Sequence, residues 1–141
     1  MLRVSVLCQG RLKEPYYIDA CREYLKRLGA YCKAEVIELP EDGDIAGRIP
    51  KGAYVIALCI EGKKLSSTDL AAALDRLATQ GESRLCFLIG GSDGLPESVK
   101  AQADFSLSMS DMTFPHHLAR VMLLEQIYRA FTITAGAKYH K

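Results

Sequence analysis

Two short stretches of this chain, AYVIALCI at residues 53–60 and RLCFLI at residues 84–89, carry almost only apolar side chains. A strand with one face in water alternates apolar and polar residues, because successive side chains point to opposite faces. A strand-length run that stays apolar is typical of a strand covered on both faces, as in a parallel sheet with helices on either side. These stretches therefore favour a fold built on a buried, mostly parallel sheet.

The remaining segments alternate between strand-like and helix-like patterns. Further strands are predicted at residues 2–8, 35–39 and 104–108, and helices from Pro15 to Gly29, over 68–80 behind a capping box of Ser66 and Asp69, from Pro96, and from Pro115 to about Ala135. A turn-rich connector at residues 40–52 is too broken for a long helix. Since 141 residues suit one domain and no linker or repeat interrupts them, we expect a single α/β domain over 1–141.

The last predicted helix is unusual because its apolar residues point in nearly every direction. Its charged residues, Arg120, Glu125 and Arg129, share no face. A helix that is apolar all round must be buried all round. We expect a second surface to cover it, most simply another copy of the chain, and the alternative is that the domain wraps the helix itself.

Composition excludes several classes of protein. With 49% hydrophobic and 25% charged residues the chain is ordinary for a soluble globular protein, and no apolar run approaches the about 18 residues of a membrane span. Residues 1–10 turn polar before a signal sequence could form, so the cytoplasm is the expected location. The five cysteines have no CxxC spacing and are expected to be small buried apolar residues in a reducing compartment.

Charge is spread unevenly although the net charge is only +1. Residues 1–33 and 115–141 are basic, and residues 34–50 are acidic. Either these charges form an ordinary solvated surface, or the two basic ends converge into an anion-binding face. The strongly basic character of a general nucleic-acid binder is missing.

Ligands of open α/β sheets bind beyond the carboxyl ends of the strands. Three strand exits are candidates: LCIEGKKLSS, IGGSDGLPES and LSMSDMTFPHH. The glycines of GGSDG offer free backbone amides, but the motif matches neither the dinucleotide nor the triphosphate fingerprint, and a plain turn is the alternative. The SMSDMTF loop combines hydroxyls with Met112 and Phe114, a lining that suits a flat uncharged ring such as adenine.

The adjacent His116 and His117 invite a metal-site interpretation. Neighbouring residues on a helix diverge by about 100°, whereas a metal pair needs a spacing of three or four. We therefore predict no metal site. His116 is expected to fix the preceding loop by hydrogen bonds, and His117 to be exposed.

Three separated motifs, IGGSDGL, LSMSDMTFPHHLARVMLLEQIYRA and the terminal YHK, occur in an order that resembles the small bacterial SPOUT methyltransferases that modify N3 of a pseudouridine in 23S ribosomal RNA. The likeness covers nearly the whole chain. It implies an α/β domain with a C-terminal deep trefoil knot, S-adenosylmethionine as methyl donor, and a homodimer that acts on the assembled ribosome. Fold rules alone would have rejected a knot.

The resemblance also assigns residues. It implies that S-adenosylmethionine is bound by Leu58, Gly90, Met109, Ser110, Asp111, Met112, Thr113 and Phe114. It places a PHxxxR pattern on Pro115, His116 and Arg120, and a tail that approaches the partner's active site on Tyr139 and His140.

For the reaction, Arg120 and Arg129 are candidates for steering phosphate or stabilising the ionised base. His140 or His116 is the candidate for proton handling. The chain departs from the family at residues 41–53, where relatives commonly carry a longer helical segment.

Three alternatives remain open on the sequence alone. The same fold and cofactor could serve another RNA, such as transfer RNA. The chain could be a non-catalytic module that senses nucleotides or binds the ribosome. A flavodoxin-like redox domain is the third.

Overall fold

The computed structural model describes all 141 residues as an α/β fold. The strands are β1 (Arg3–Gln9), β2 (Lys33–Leu39), β3 (Tyr54–Lys64), β4 (Arg84–Ile89) and β5 (Phe105–Ser108), and the helices are α1 (Pro15–Leu28), α2 (Ser67–Thr79), α3 (Glu97–Gln102) and α4 (His116–Thr134). All pairings are parallel, in the order β2-β1-β4-β3-β5. The prediction of a parallel sheet is confirmed.

Both faces of the central strands are buried, as their apolar runs predicted. Val6 of β1 and Phe87 of β4 belong to the larger core, which α1, α2 and α4 cover. Leu7 and Leu88, one residue further along, belong to a smaller core with Val99 of α3 and Ile45 of the connector. The alternation of side chains thus divides each strand between two apolar layers.

The middle strand is longer than predicted. The sequence placed its end at residue 60, but β3 continues to Lys64, with an irregularity in its pairing to β5 between Leu58 and Lys63. Gly62 permits this course, because a Cβ there would lie 2.7 Å from the backbone carbon of Ser106. Lys63 and Lys64, which were predicted to lie in the loop after this strand, therefore belong to β3 itself and are paired with β5.

The helix ends follow the predicted signals in part. The Oγ atom of Ser66 accepts a hydrogen bond from the backbone N–H of Asp69 at 3.0 Å, which confirms the cap of α2. Gly81, just beyond α2, has a φ of 99°, a conformation that favours glycine. Gly29 ends α1 as predicted, but with a right-handed φ of −57°.

Helix α4 packs against α1 and α2, and none of its residues before Thr134 is fully exposed. The side chains that the chain itself buries are Arg120, Leu123, Leu124, Ile127, Ala130 and Thr132. Leu118, Val121 and Met122 are only half-buried. The domain therefore covers much of this helix, and half-covered apolar surface remains. No helix of the chain has the length and hydropathy needed to cross a membrane.

Candidate active site

The three strand exits chosen from the sequence line one cavity of about 750 Å³ at the carboxyl edge of the sheet. Residues 58–61 of β3 form one wall, residues 89–95 at and beyond the end of β4 form the floor, and residues 108–110 and 112–116 form the opposite wall. Its volume lies within the range of about 300–1,000 Å³ that small-molecule sites occupy. The three exits, each predicted as a candidate for a binding site, meet in one cavity.

Most of the residues predicted to bind the cofactor line this cavity. They are Leu58, Gly90, Met109, Ser110, Met112, Thr113 and Phe114. Asp111 does not line the cavity: its side chain is 81% exposed, and its Oδ2 atom lies 2.6 Å from Nζ of Lys64. Asp111 thus fastens the loop to the end of β3 from outside, and its predicted contact with the cofactor has no support in this geometry.

Short internal hydrogen bonds fix the loop that follows β5. The hydroxyl of Ser108, which is buried, donates to the carbonyl oxygen of Ser110 at 3.1 Å. The hydroxyl of Ser110 in turn accepts from the N–H of Met112 at 3.0 Å. With its turns held by its own hydroxyls, the loop presents main-chain groups and uncharged side chains to the cavity. Such a surface can hold a flat polar ring without an ionised partner.

Glycines are required in the cavity floor because backbone segments approach closely there. A Cβ on Gly90 would lie 2.3 Å from the carbonyl carbon of Gly94 and 2.4 Å from the nitrogen of Leu95. Neither atom can move without distorting the loop, so only glycine fits at position 90. The GGSDG segment is therefore packed more closely than the plain turn that was the alternative prediction.

Glu41, in the connector after β2, contacts the cavity floor although no sequence motif points to it. Its Oε1 atom accepts hydrogen bonds from the N–H of Ser92 at 3.0 Å and from the Ser92 hydroxyl at 3.3 Å. A Cβ on Gly91 would lie only 2.2 Å from the same oxygen. The hydrogen bond from the Ser92 backbone is the main cause of a lowered pKa for Glu41. This carboxylate therefore holds the glycine floor from beneath.

A second cavity, of about 480 Å³, adjoins the first. Its lining is polar and charged apart from Gly10 and Pro40, and comprises Gly10, Arg11, Lys13, Glu14, Pro40, Glu41, His116 and His117. His116 lines both cavities. Burial is the main cause, and the charge of His117 a further one, of a pKa for His116 below 6.5. At neutral pH this imidazole is uncharged, with one nitrogen free to accept a proton.

The two histidines lie side by side rather than around a common ion. Their ring centroids are 4.2 Å apart, and no group of three or more potential metal ligands occurs in the chain. His117 was predicted to be exposed, which is wrong: its side chain is 20% exposed and its Nδ1 atom lies 3.7 Å from Oε2 of Glu14. Residues at the start of α1 cover it, a long-range contact that its sequence neighbours do not reveal.

Arg120 was expected to face the substrate, but its side chain is only 1% exposed and does not line either cavity. Its Nη1 atom lies 2.5 Å from Oε2 of Glu38, and its Nη2 atom donates to the carbonyl oxygen of Gly10 at 3.1 Å. The guanidinium thereby ties α4 to the ends of β1 and β2. Direct contact of Arg120 with phosphate or base has no support in this arrangement.

Arg129 and His140 meet at the far end of α4. The Nη1 atom of Arg129 lies 3.0 Å from Nδ1 of His140, and Arg129 is also paired with Glu125 at 3.0 Å. The Tyr139 hydroxyl donates to Glu125 at 2.7 Å, and this hydrogen bond is the main cause of a Tyr139 pKa raised to about 12. Since a helix rises about 1.5 Å per residue, Arg129 is about 20 Å along α4 from His116. The cluster of Glu125, Arg129, Tyr139 and His140 is thus well separated from the cavity within one chain.

Comparison with known proteins identifies relatives over the whole chain. Residues 2–140 match a family model described as predicted SPOUT methyltransferase. Proteins of Bacillus thuringiensis and Bacillus anthracis named ribosomal RNA large subunit methyltransferase H are 46% identical, in alignments that cover 99% of this chain and 100% of each relative. These alignments span 159 positions, so they include positions that this chain of 141 residues lacks.

Solved structures show the same fold at low identity. A probable methyltransferase from Bordetella pertussis superposes with a TM-score of 0.63 at 11% identity, covering 92% of this chain and 95% of that protein. A tRNA (m1G37) methyltransferase from Aquifex aeolicus superposes with a TM-score of 0.57 at 18% identity. The superposition covers 99% of this chain and 73% of the Aquifex aeolicus protein. The arrangement of strands and helices around the cavity is therefore one that methyltransferases use.

Proposed function

This chain belongs to the SPOUT methyltransferase family, and we propose that it methylates N3 of a pseudouridine in 23S ribosomal RNA, at the position numbered 1915. The observation that carries the proposal is the single cavity formed by three strand exits, with an uncharged loop on one side and a glycine floor on the other. The names of the relatives favour ribosomal RNA over other substrates. Family membership removes the flavodoxin-like alternative.

The methyl donor in this proposal is S-adenosylmethionine, and the residues present fit it. Met112 and Phe114 offer apolar contact, and the main chain of residues 109–114 offers the hydrogen bonds that an adenine needs. Gly90 leaves room that a side chain would fill. The donor supplies a methyl group activated by its positively charged sulfur. The protein holds donor and base in line for displacement, which needs little covalent help.

We propose that the target base lies where the second cavity adjoins the first. Arg11 and Lys13 supply positive charge for the RNA backbone, and His116 stands between the two cavities. An uncharged imidazole there is suited to accept the imide proton that N3 releases on methylation. Arg120 serves as a positioning residue in this scheme, because it fixes the carbonyl of Gly10 and the first turns of α4.

The proposed enzyme is a homodimer. Along α4, Arg129 lies about 15 Å from Ala119, the last residue of this helix that lines the cavity of the same chain, so Arg129 and the neighbouring His140 can contribute to a methylation site only if a second copy brings them there. The half-buried Leu118, Val121 and Met122 provide apolar surface for such a contact. We further propose the trefoil knot of the C-terminal segment, which is consistent with α4 returning from the edge strand β5 to pack between α1 and α2.

A methylation assay with separated substrates tests the proposal. Purified protein is incubated with tritiated S-adenosylmethionine and with assembled ribosomes, free 23S RNA or transfer RNA, and labelled RNA is digested and mapped by mass spectrometry. We expect label in assembled ribosomes, at N3 of one pseudouridine, in keeping with a cytoplasmic enzyme. Label in transfer RNA alone would support the other-RNA alternative. Failure to bind S-adenosylmethionine at millimolar concentration would instead support a non-catalytic module.

A further inference from the structure

Three basic residues stand side by side at the amino edge of the sheet, opposite to the edge that carries the two cavities. Arg3 of β1 pairs in register with Lys33 of β2 on one side and with Arg84 of β4 on the other. Register partners of parallel strands point to the same face and lie about 4.8 Å apart. The three cations, which we call the cation row, therefore form a line across three neighbouring strands.

No acidic side chain of the chain forms an ion pair with this row. No carboxylate oxygen lies within 4.0 Å of the charged nitrogens of Arg3, Lys33 or Arg84. The nearby Glu35, two residues along β2, accepts a hydrogen bond from the Ser5 hydroxyl at 3.1 Å instead. Like charges in register on adjacent strands repel one another, so the row is unfavourable unless an anion joins it.

The cation row lines a small cavity of about 230 Å³ with Ser5, Ala34, Glu35 and Pro50. Ser5, at its base, is 7% exposed. Pro50 belongs to the connector between β2 and β3, whose only helical part is a single turn at Ala46–Arg48. Because the connector is this short, it leaves the face of the sheet near the cation row open.

These features specify the ligand chemistry. Two guanidinium groups and an ammonium group on one face suit a phosphate, since arginine donates in pairs to phosphate oxygens and lysine adds a point charge. The row lies about 17–20 Å from the carboxyl edge, five or six strand residues away. A methyl donor and its target base cannot fill both places, whereas an extended polynucleotide can contact both.

We propose that Arg3, Lys33 and Arg84 bind a backbone phosphate of the substrate RNA at a point remote from the methylated base. This inference rests on the proposed function for the identity of the RNA, and on the register and the missing counter-charges for the site itself. The site gives affinity and orientation for the RNA and takes no part in methyl transfer. It would also explain why part of the basic N-terminal segment lies away from the cavity.

The test compares two triple variants that remove the same charge. R3Q/K33Q/R84Q removes the cation row, and R22Q/K26Q/R76Q removes three exposed, unpaired basic residues on α1 and α2, across the sheet. Binding to assembled ribosomes, the substrate proposed above, is measured by co-sedimentation between about 50 and about 200 mM salt. We expect the first variant to lose about tenfold or more in affinity at low salt, and the slope of log Kd against log salt to fall by about one, as expected for one lost phosphate contact.

Equal losses in both variants would overturn the proposal, because net charge alone would then explain them. Titration with inorganic phosphate separates the possible sources of the anion. Phosphate that binds to the wild type but not to the first variant, with unchanged RNA affinity, would show a free-anion site and overturn the RNA assignment. Thermal unfolding serves as a folding control, since loss of repulsion should leave the Tm of the first variant at or slightly above that of the wild type at low salt.

Two further readouts separate this inference from the proposed function. S-adenosylmethionine binding and kcat at saturating RNA should be unchanged in the first variant, and KM for RNA should rise. A wild type that methylates no RNA, but whose RNA affinity still depends on the cation row, would refute the proposed function alone. If the wild type is an active methyltransferase, but its KM for RNA and the salt dependence of its RNA binding are the same as those of R3Q/K33Q/R84Q, the inference alone would be refuted.

Discussion

Arg120 and Glu38 form an ion pair across 82 positions of sequence, with Nη1 of the arginine 2.5 Å from Oε2 of the glutamate. Glu38 accepts a second hydrogen bond from the N–H of Leu12 at 2.8 Å, and Arg120 donates a second one to the carbonyl of Gly10. The pair thus joins β2, the loop after β1 and the first turns of α4. It is the main polar contact that holds the start of α4 beside the two cavities.

Substitution of Glu38 should destabilise the protein. Glu38→Gln leaves the buried guanidinium of Arg120 without its counter-charge, and we expect the free energy of unfolding to fall by about 1–3 kcal/mol, since Glu38 itself is partly exposed. Urea denaturation measures the change. The control is Glu23→Gln, which breaks a solvent-exposed ion pair with Arg27 on α1 and should change the free energy of unfolding little, because water and salt screen the pair. Similar small effects for both variants would contradict the role of the pair.

The same pair predicts how stability depends on pH. Burial alone would raise the pKa of Glu38, but the hydrogen bonds from the Leu12 backbone and Arg120 outweigh it and hold the pKa below 4.5. A carboxylate with a lowered folded-state pKa stabilises fully above its unfolded pKa, and this contribution is lost as pH falls through the folded value. The stability difference between wild type and Glu38→Gln should therefore be constant from pH 7 to about 5 and shrink below pH 4.5. A difference that is as large at pH 3 as at pH 7 would argue against ionic pairing, because the contribution must begin to fall once pH drops below the unfolded pKa.

Gly90→Ala should weaken donor binding. The added Cβ would lie 2.3 Å from the backbone of Gly94, so the floor of the cavity must shift. We expect a loss of at least about tenfold in affinity for S-adenosylmethionine, measured by calorimetry, as an interaction of about 1.4 kcal/mol or more is removed. Gly81→Ala is the matched control: its φ of 99° makes alanine strained, but nothing lies within 4 Å and it is far from the floor. That variant should lose about 1 kcal/mol of stability and retain affinity.

Mixing two inactive variants tests whether the tail acts on the partner subunit. Phe114→Ala impairs the cavity, and His140→Ala removes the imidazole that contacts Arg129. If each methylation site combines the cavity of one chain with the tail of the other, refolding an equal mixture yields heterodimers with one intact site, and about a quarter of wild-type activity should return. The activities of the separate variants set the baseline. No recovery, although mixed dimers form, would place the tail at the cavity of its own chain or outside the mechanism.

Local patterns predicted the elements of this chain because each pattern reports on a few neighbouring residues. The apolar runs predicted doubly covered strands, and Ser66 predicted the start of α2 through a hydrogen bond spanning three positions. Burial of Cys8, Cys21, Cys32 and Cys86 was likewise confirmed, and only Cys59, in the cavity wall, is partly exposed. The three strand exits could be selected because parallel strands place their carboxyl ends at one edge.

Patterns of the same kind misplaced side chains whose partners are distant in sequence. Asp111 sits within the cofactor loop in the sequence, yet it turns outward to Lys64, 47 positions away. Arg120 looked like a free cation because Glu38 lies in another strand, and Glu41 looked like part of a turn because its partner Ser92 follows β4.

The parallel sheet and its covering helices follow from the amino-acid sequence, since periodicity and local hydrogen bonds specify them, and so does the uncharged character of most of the loop at residues 109–114. Which charges are paired and which stand alone depends instead on the tertiary structure. It buried Arg120 against Glu38, and it aligned Arg3 with Lys33 and Arg84 without a counter-charge. The physical reason is that strand order and register bring together residues from remote parts of the chain, and electrostatic energy depends on those distances rather than on separation in sequence.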